Sequence, residues 1–280
     1  MRVKTSFHTH TTYCDGVNTA REMIEAAIEK GFDAIGFSGH SHTDFDESYA
    51  MSLEDSRLYK REILELKEEY KDKIKVFCGL EYDYFSDEWI TGWDFKIGSV
   101  HYVKKDGIYI PVDEAADILL DAVIEHYAGD VYALCEDYYA QMGNIVKKTE
   151  CDIVGHFDLI TKFNESCFTL PTGTIVPGGN GPMIDEKDPR YVAAYTAALD
   201  KILGEPGAKD RPEKRPLFEI NTGAIYRGYR TAPYPSEDIL RAIKARGGRV
   251  IITSDAHDTE ALGFWYEEAE ELATRLGFKL

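Results

Sequence analysis

The segment Val3-Lys4-Thr5-Ser6-Phe7-His8-Thr9-His10 begins as a short strand-like run and ends in two histidines separated by one residue. On an extended backbone, side chains two positions apart lie on the same face, so both imidazoles can reach one ion. A similar arrangement returns near the other end of the sequence, where Asp255-Ala256-His257 follows an apolar run over residues 250–253. Candidate metal ligands therefore follow both the first and the last predicted strand.

Other histidines lie in the same kind of position along the chain. Seven of the eight histidines follow a strand-like segment, and His126 falls inside a predicted helix, where we expect no ligand role. The predicted strands are Val3–Phe7, Ala34–Phe37, Lys75–Leu80, Phe95–Val100, Asp152–Val154, Leu217–Ile220 and Val250–Thr253. They are short, apolar and bounded by polar or glycine residues, which is typical of strands buried on both faces.

Helical patterns separate these strands. We expect helices at 19–30, Ser52–Tyr70, Asp113–Tyr127, Val131–Lys148, Tyr191–Leu203, Ser236–Ala245 and Thr259–Leu276. Repeated β–α alternation predicts an α/β fold with a parallel sheet and right-handed crossovers. Seven strands, without a glycine-rich phosphate loop after the first, favour a barrel. In a barrel, the residues that follow each strand meet at one rim.

Composition narrows the class of protein. The sequence has 280 residues, 44% of them hydrophobic, which suits a single α/β domain over 1–280. A formal net charge of −18 argues against a nucleic-acid polymer as partner, because such a partner requires a basic surface. It does not exclude a small anionic substrate, because bound cations reverse the local charge.

Location is also predicted from composition. The five cysteines form no CxxC pair, which predicts free thiols in a reducing compartment. We see neither a basic and apolar leader nor an apolar run of the roughly 20 residues that a membrane span needs. We therefore expect a cytoplasmic protein with no membrane partner.

The candidate metal ligands combine imidazoles with carboxylates, the donors that clusters of divalent cations require. The set is His8, His10, Asp15, His40, Glu81, His101, His156, Asp255 and His257. Glu81 is placed after the third strand, where its carboxylate could bridge two cations. Asp15 lies in Asp15-Gly16, which also fits an ordinary turn.

These motifs resemble those of the polymerase-and-histidinol-phosphatase (PHP) family of metal-dependent phosphoesterases. The match follows chain order through His8-x-His10, Asp15-Gly16, His40, Glu81, His101, His156 and Asp255-x-His257. The resemblance implies a distorted barrel of seven βα units with two to three divalent ions, zinc, manganese or iron. It also implies that His8, His10, Glu81 and Asp255 hold one ion. Glu81, His101 and His156 would hold a second, and Asp15, His40 and His257 a third.

Within that family, the sequence looks most like the stand-alone histidinol-phosphate phosphatases. The pointers are Gly39-His40-Ser41-His42, Gly98-Ser99-Val100-His101, Gly155-His156-Phe157-Asp158 with Lys162-Phe163, and Glu219-Ile220-Asn221-Thr222-Gly223. The resemblance implies hydrolysis of L-histidinol phosphate, a small phosphorylated substrate. Two alternatives stay open. One is a family member that acts on nucleotides or nucleic-acid ends, and the other is a non-catalytic regulatory protein that binds metal.

Several further residues are candidates for substrate binding or proton transfer. Lys162, Arg227 and Arg230 could bind a phosphate dianion, because arginine presents two donors to phosphate oxygens. Glu219 and Asn221 could receive the ammonium or imidazole of the substrate, or serve the barrel rim alone. Asp255, His257 and His42 are candidates for protonating the leaving alkoxide. The loop 170–189, rich in glycine and proline, is either a lid or a plain surface loop.

Overall fold

The computed structural model describes residues 4–165, 168–169, 175–176, 182–207 and 215–280. Seven parallel strands form one sheet. In their order across the sheet, they are β1 (Thr5–Ser6), β2 (Ala34–Phe37), β3 (Lys75–Asp83), β4 (Phe95–Ser99), β7 (Ile153–Val154), β10 (Leu217–Asn221) and β11 (Arg249–Thr253). All seven predicted strands are therefore confirmed, with ends shifted by at most three residues.

The sheet curves into a nearly closed barrel. Strands β1 and β11 meet just beyond their carboxyl ends, in a parallel bridge between Thr9 and Ala256. There the His10 amide donates to the Ala256 carbonyl at 2.8 Å, and the Ala256 amide donates to the His8 carbonyl at 3.1 Å. The barrel is thus closed at the rim that carries the histidines, and the prediction of a distorted (βα)7 barrel is confirmed.

Helices cover the outside of the barrel. They are α1 (Ala20–Glu29), α2 (Leu53–Glu69), α3 (Ala116–Tyr127), α4 (Val131–Met142), α5 (Ile145–Thr149), α6 (Pro189–Leu203), α7 (Gly223–Tyr226), α8 (Glu237–Ala245) and α9 (Tyr266–Arg275). The start of α1 shows why the sequence forms a helix here, because Thr19 and Glu22 form a reciprocal capping box. Among the described residues, no helix combines the length and apolar character needed to cross a bilayer.

Two predicted helices are wrong in extent. The predicted helix over 259–276 begins only at Tyr266, because Gly263 and Trp265 adopt left-handed backbone angles, with φ of 75° and 60°. The predicted helix over 131–148 breaks into α4 and α5 at Gly143 and Asn144. In each case the apolar periodicity continues through the break, so periodicity alone does not locate it.

An antiparallel hairpin lies between β4 and α3 and was not predicted. It consists of β5 (Tyr102–Lys105) and β6 (Ile108–Pro111), joined by a two-residue turn. Both turn residues, Asp106 and Gly107, have positive φ. An Asp-Gly pair between apolar runs is a strong hairpin signal, so the sequence did contain this information. A second two-stranded pairing joins β8 (Phe168–Thr169) and β9 (Ile175–Val176). Half of the proposed lid, 170–174 and 177–181 of the loop 170–189, lies outside the described residues.

The barrel interior holds its own small apolar cluster. Phe95, Ile97 and Ile153 are buried, and Phe7 and Phe77 pack against them. This cluster is separate from the larger core between the strands and the helices. Because its members come from, or directly follow, neighbouring barrel strands, the cluster forms an apolar floor beneath the polar rim.

Candidate metal centre

The candidate ligands converge at the carboxyl end of the barrel strands. His8 and His10 follow β1, His40 follows β2, His101 follows β4, His156 follows β7, and Asp255 and His257 follow β11. Glu81 was predicted to lie past its strand, but it is within β3, because the strand runs three residues further to Asp83. A parallel bridge between His40 and Glu81 extends the sheet to this level.

Glu81 is the hub of the cluster. Its Oε2 lies 3.0 Å from His8 Nε2, 3.1 Å from His40 Nδ1 and 3.5 Å from His10 Nε2. Its Oε1 lies 3.0 Å from His156 Nε2 and 3.4 Å from His101 Nε2, and it accepts a hydrogen bond from Ser99 Oγ at 2.6 Å. The Glu81 side chain is fully buried. One carboxylate therefore faces five imidazoles that come from four different loops.

Two further carboxylates complete the cluster. Asp255 Oδ1 lies 3.2 Å from His10 Nε2 and 3.4 Å from His8 Nε2. Asp15 Oδ2 lies 3.1 Å from His257 Nε2, and its Oδ1 lies 3.6 Å from nitrogens of both His10 and His40. The structure thus brings all nine predicted metal ligands together, including Asp15, whose local sequence also fits an ordinary turn.

The donor atoms fit metal ions better than they fit hydrogen bonds. A carboxylate offers about four lone-pair sites, yet Glu81 meets five imidazole nitrogens and a hydroxyl. His10 Nε2 is buried without a hydrogen-bond partner among the described residues. Ligand atoms around a tetrahedral ion with bonds of about 2.1 Å lie about 3.4 Å apart. The spacings of 3.0–3.5 Å among His8, His10, Glu81 and Asp255 match that arrangement.

The protonation states of Glu81 and His10 suit cation binding. Burial would raise the pKa of the Glu81 carboxyl, but the imidazoles of His8 and His40 hold that pKa well below its ordinary value. Burial, followed by the neighbouring imidazoles of His257 and His40, lowers the pKa of His10 to about 3. An ionised carboxylate beside a neutral imidazole is the state in which both groups bind a divalent ion.

A second layer of carboxylates orients the imidazoles. Glu219 Oε2 accepts from His8 Nδ1 at 2.8 Å, which leaves Nε2 of that ring facing Glu81. Asp83 Oδ2 lies 3.1 Å from His101 Nδ1 in the same way. The sequence reasoning missed Asp83, although it lies two residues after Glu81 and therefore on the same strand face. Such outer carboxylates fix the tautomer and direction of a ligating histidine.

The described residues around the rim enclose a cavity of about 310 Å³. This volume lies within the range of pockets for small molecules. Two cations line it. Arg227 donates to Asp255 Oδ2 at 3.0 Å and to the Asp255 carbonyl at 3.1 Å. Lys162 Nζ donates to the Asp113 carbonyl at 2.6 Å and lies 3.4 Å from Asp113 Oδ2.

Two of the predicted substrate residues lie beneath the rim and not in the cavity. The Glu219 carboxylate is buried, and both of its oxygens are bonded to protein groups. Asn221 is also buried, where its side chain donates to Glu219 at 3.0 Å and accepts from the Gly223 amide at 2.9 Å. The prediction that they receive the substrate is therefore wrong, because their hydrogen-bonding capacity is used to support the ligands and the rim backbone.

Two other predicted site residues also lie outside the lining of the cavity. The Arg230 guanidinium is buried behind the cavity, where it donates to the Thr161 carbonyl at 3.3 Å and to the Thr161 hydroxyl. His42 Nε2 lies 3.0 Å from Asp44 Oδ1, and its backbone amide donates to Glu88. Neither Arg230 nor His42 is among the residues that line the cavity, so the structure does not bring these two side chains to the phosphate site.

Comparison with known proteins agrees with this geometry. A family model described as the PHP domain matches residues 6–199. The chain belongs to the PHP domain family. A PHP relative from Deinococcus radiodurans, named a probable histidinol-phosphatase, is 30% identical over 273 residues, which cover 94% of this chain and 89% of the relative.

Solved structures show the same PHP fold. One from Listeria monocytogenes has a TM-score of 0.74 at 18% identity and covers 95% of this chain and 99% of its own. Another is the histidinol phosphate phosphatase of Lactococcus lactis, complexed with zinc, L-histidinol and phosphate. It has a TM-score of 0.65 at 22% identity, covering 99% of this chain and 94% of its own.

Proposed function

We propose that this protein is a metal-dependent phosphomonoesterase that hydrolyses L-histidinol phosphate to L-histidinol and phosphate. The observation that carries the proposal is the convergence of imidazoles on the two oxygens of Glu81, next to a cavity lined by Lys162 and Arg227. The relative from Deinococcus radiodurans, which is 30% identical over 94% of this chain and is named a probable histidinol-phosphatase, supports the choice of substrate. A cavity of about 310 Å³ suits a small monoester.

Three groups of residues would hold two to three ions of zinc, manganese or iron. His8, His10, Glu81 and Asp255 would hold the first ion, and Glu81, His101 and His156 the second, since the two Glu81 oxygens face these two groups separately. Asp15, His40 and His257 would hold the third. Bound divalent ions supply Lewis-acid activation of water at neutral pH and neutralise charge on phosphoryl oxygens.

The protein side chains would contribute positioning and charge. Lys162 would bind a phosphoryl oxygen, which places a fixed cation where negative charge accumulates. Arg227 would hold Asp255 in its ligating orientation through the 3.0 Å contact and add positive charge beside the phosphate. Of the candidate proton donors to the leaving alkoxide, Asp255 and His257 line the cavity.

The test is a substrate panel on protein stripped with a chelator and then reloaded separately with zinc, manganese or iron. We expect phosphate release only after reloading, with the highest kcat/KM for L-histidinol phosphate. Glu81→Ala should abolish turnover while circular dichroism shows an intact fold. Faster hydrolysis of nucleoside monophosphates or DNA ends would favour the nucleotide-directed alternative. No release with any metal would favour the non-catalytic one.

A further inference from the structure

The cavity carries more negative charge than a phosphate pocket needs. Besides the three carboxylates of the metal cluster, it is lined by Asp46, Asp113 and Glu114. These three lie near the hairpin β5–β6. Asp46 accepts a hydrogen bond from the Tyr102 hydroxyl, and Tyr102 pairs with Pro111, directly before Val112 and Asp113. We call Asp46, Asp113 and Glu114 the acidic edge of the cavity.

Asp113 lies closest to the chemistry. Its side chain is 28% exposed, and it is near enough to His101 and His156 to interact with both imidazoles electrostatically. Among the described residues, its carboxylate contacts Lys162 alone, at the rather long distance of 3.4 Å. Asp46, by contrast, already accepts from the Tyr102 hydroxyl and the Ser48 amide. Glu114 is exposed to solvent, whereas Asp113 is half-buried. Asp113 is therefore the half-buried member of the acidic edge with acceptor capacity left for a ligand.

An anion at this position opposes binding of a phosphate dianion, since like charges repel across a cavity partly shielded from water. The repulsion becomes an attraction only if the substrate brings a cation of its own. Asp113 and Lys162 present a carboxylate and an ammonium side by side, and this pair would complement a ligand with an ammonium near its phosphate. The phosphate would face Lys162, and the ligand ammonium would face Asp113.

We propose that Asp113 binds the ammonium group of the substrate and makes the cavity selective for monophosphates of 2-amino alcohols. This inference rests on the proposed function and deepens it, because L-histidinol phosphate belongs to that class. Its ammonium is two carbons from the ester oxygen, so the two opposite charges of the substrate are adjacent, like those of the Lys162–Asp113 pair. Selectivity then comes from a half-buried carboxylate that gains an ammonium partner from the aminated substrate and none from an analogue without the amine.

The alternative role for Asp113 is to orient Lys162 for phosphate. The two roles differ in their effect on a substrate that lacks the amine. If Asp113 only orients Lys162, its loss should impair every phosphate monoester equally. If Asp113 binds the ammonium, its loss should impair the aminated substrate and spare, or even favour, the analogue.

The experiment compares Asp113→Asn with the wild-type enzyme on L-histidinol phosphate and on 3-(imidazol-4-yl)propyl phosphate, the analogue without the amine. The measured ratio is kcat/KM for L-histidinol phosphate divided by kcat/KM for the analogue. We expect Asp113→Asn to lower this ratio about 10- to 100-fold, as for the loss of one charged hydrogen bond. Asp113→Glu, which keeps the carboxylate, should restore part of the ratio. Asp117→Asn makes the same change at an exposed position in the first turn of α3 and should leave the ratio unchanged.

The outcomes separate this inference from the proposed function. An unchanged ratio in Asp113→Asn, or equal losses on both substrates, would overturn the role of Asp113 and leave the phosphatase activity standing. A wild-type enzyme without activity on L-histidinol phosphate would overturn the proposed function and the inference that rests on it. Melting curves and metal content of each variant show whether it is folded and loaded with metal. If Asp113→Asn fails either check, the ratio is measured on Asp113→Glu.

Discussion

The buried carboxylate of Glu219 gives a sharp prediction about metal affinity. Its Oε2 accepts from His8 Nδ1 and Thr253 Oγ1, both at 2.8 Å. Its Oε1 accepts from Asn221 Nδ2 at 3.0 Å and from the His156 amide. Glu219→Gln keeps the shape but replaces one acceptor with an NH₂ group. Donors face both carboxylate oxygens of Glu219. In either orientation of the new side-chain amide, its NH₂ group would therefore face another donor.

The magnitude follows from the bond that is lost. A hydrogen bond to a charged group contributes about 1.5–3 kcal/mol, which corresponds to roughly 10- to 150-fold in an equilibrium constant. Measured effects of outer residues on metal affinity are about 10- to 100-fold. We therefore expect Glu219→Gln to raise the dissociation constant of the ion at His8 by about 10- to 100-fold, because the His8 ring is no longer held in the ligating tautomer.

The assay is a zinc titration of stripped protein in competition with a chromophoric chelator. Glu237→Gln is the matched control, since it makes the same chemical change on the surface in the first turn of α8. Melting curves of the metal-free proteins check that Glu219→Gln is folded. A folded Glu219→Gln protein whose zinc affinity stays within twofold of the wild-type value would refute the assignment of Glu219 as the residue that positions His8.

Three further predictions concern the cavity, the barrel interior and the surface. Lys162→Ala should raise KM for L-histidinol phosphate by about tenfold or more, because a charged hydrogen bond is lost. Inhibition by inorganic phosphate should weaken by a similar factor. An unchanged KM would remove Lys162 from the phosphate site. Gly79→Ala should lower the free energy of unfolding by about 1–3 kcal/mol in urea titrations, because a Cβ there would lie 2.4 Å from the Phe95 ring; unaltered stability would mean that the ring moves freely. Hydrogen bonding to Arg275 is the main cause that lowers the pKa of the exposed Glu237 carboxyl to about 2. The ionised carboxylate therefore stabilises the fold above about pH 4.5, and this contribution is lost as the pH falls toward 2. Glu237→Gln should accordingly lower Tm at pH 7 in low salt but not at acidic pH or in 1 M salt, and a Tm difference that persists at low pH would contradict this account.

The rim ligands could be predicted because apolar runs in the sequence show where the strands end. His8-x-His10 and Asp255-x-His257 both follow apolar runs, and parallel strands of a barrel bring such positions to one rim. The fold alone then places His101 beside Glu81. The order of the strands is enough for this prediction, because it determines which strand ends are neighbours at the rim.

The roles of interior and loop residues could not be predicted in the same way. Glu219 and Asn221 also lie at a strand end, but they occur in β10, where the side chains turn under the rim toward His8 and the backbone. Arg230 resembles Arg227 in sequence, and only the short helix α7 decides that Arg227 faces the cavity while Arg230 is buried behind it. The sequence predicts a helix from Asp113, whereas α3 begins at Ala116 and Asp113 lies between the hairpin β5–β6 and that helix.

The bridge between Thr9 and Ala256 sets the order in which the centre can be assembled. Ribosomes release the amino-terminal part of a chain first, so His8 and His10 emerge long before Asp255 and His257. Until the last βα unit docks, His8 and His10 lack Asp255 and His257 as partners in the metal site. They also lack the neighbouring strand β11, whose bridge between Thr9 and Ala256 fixes the backbone around them. Metal loading would therefore come at the end of folding, and a truncated or stalled product would hold its ions weakly. In a cell, retention of the ions would distinguish completed molecules from unfinished ones.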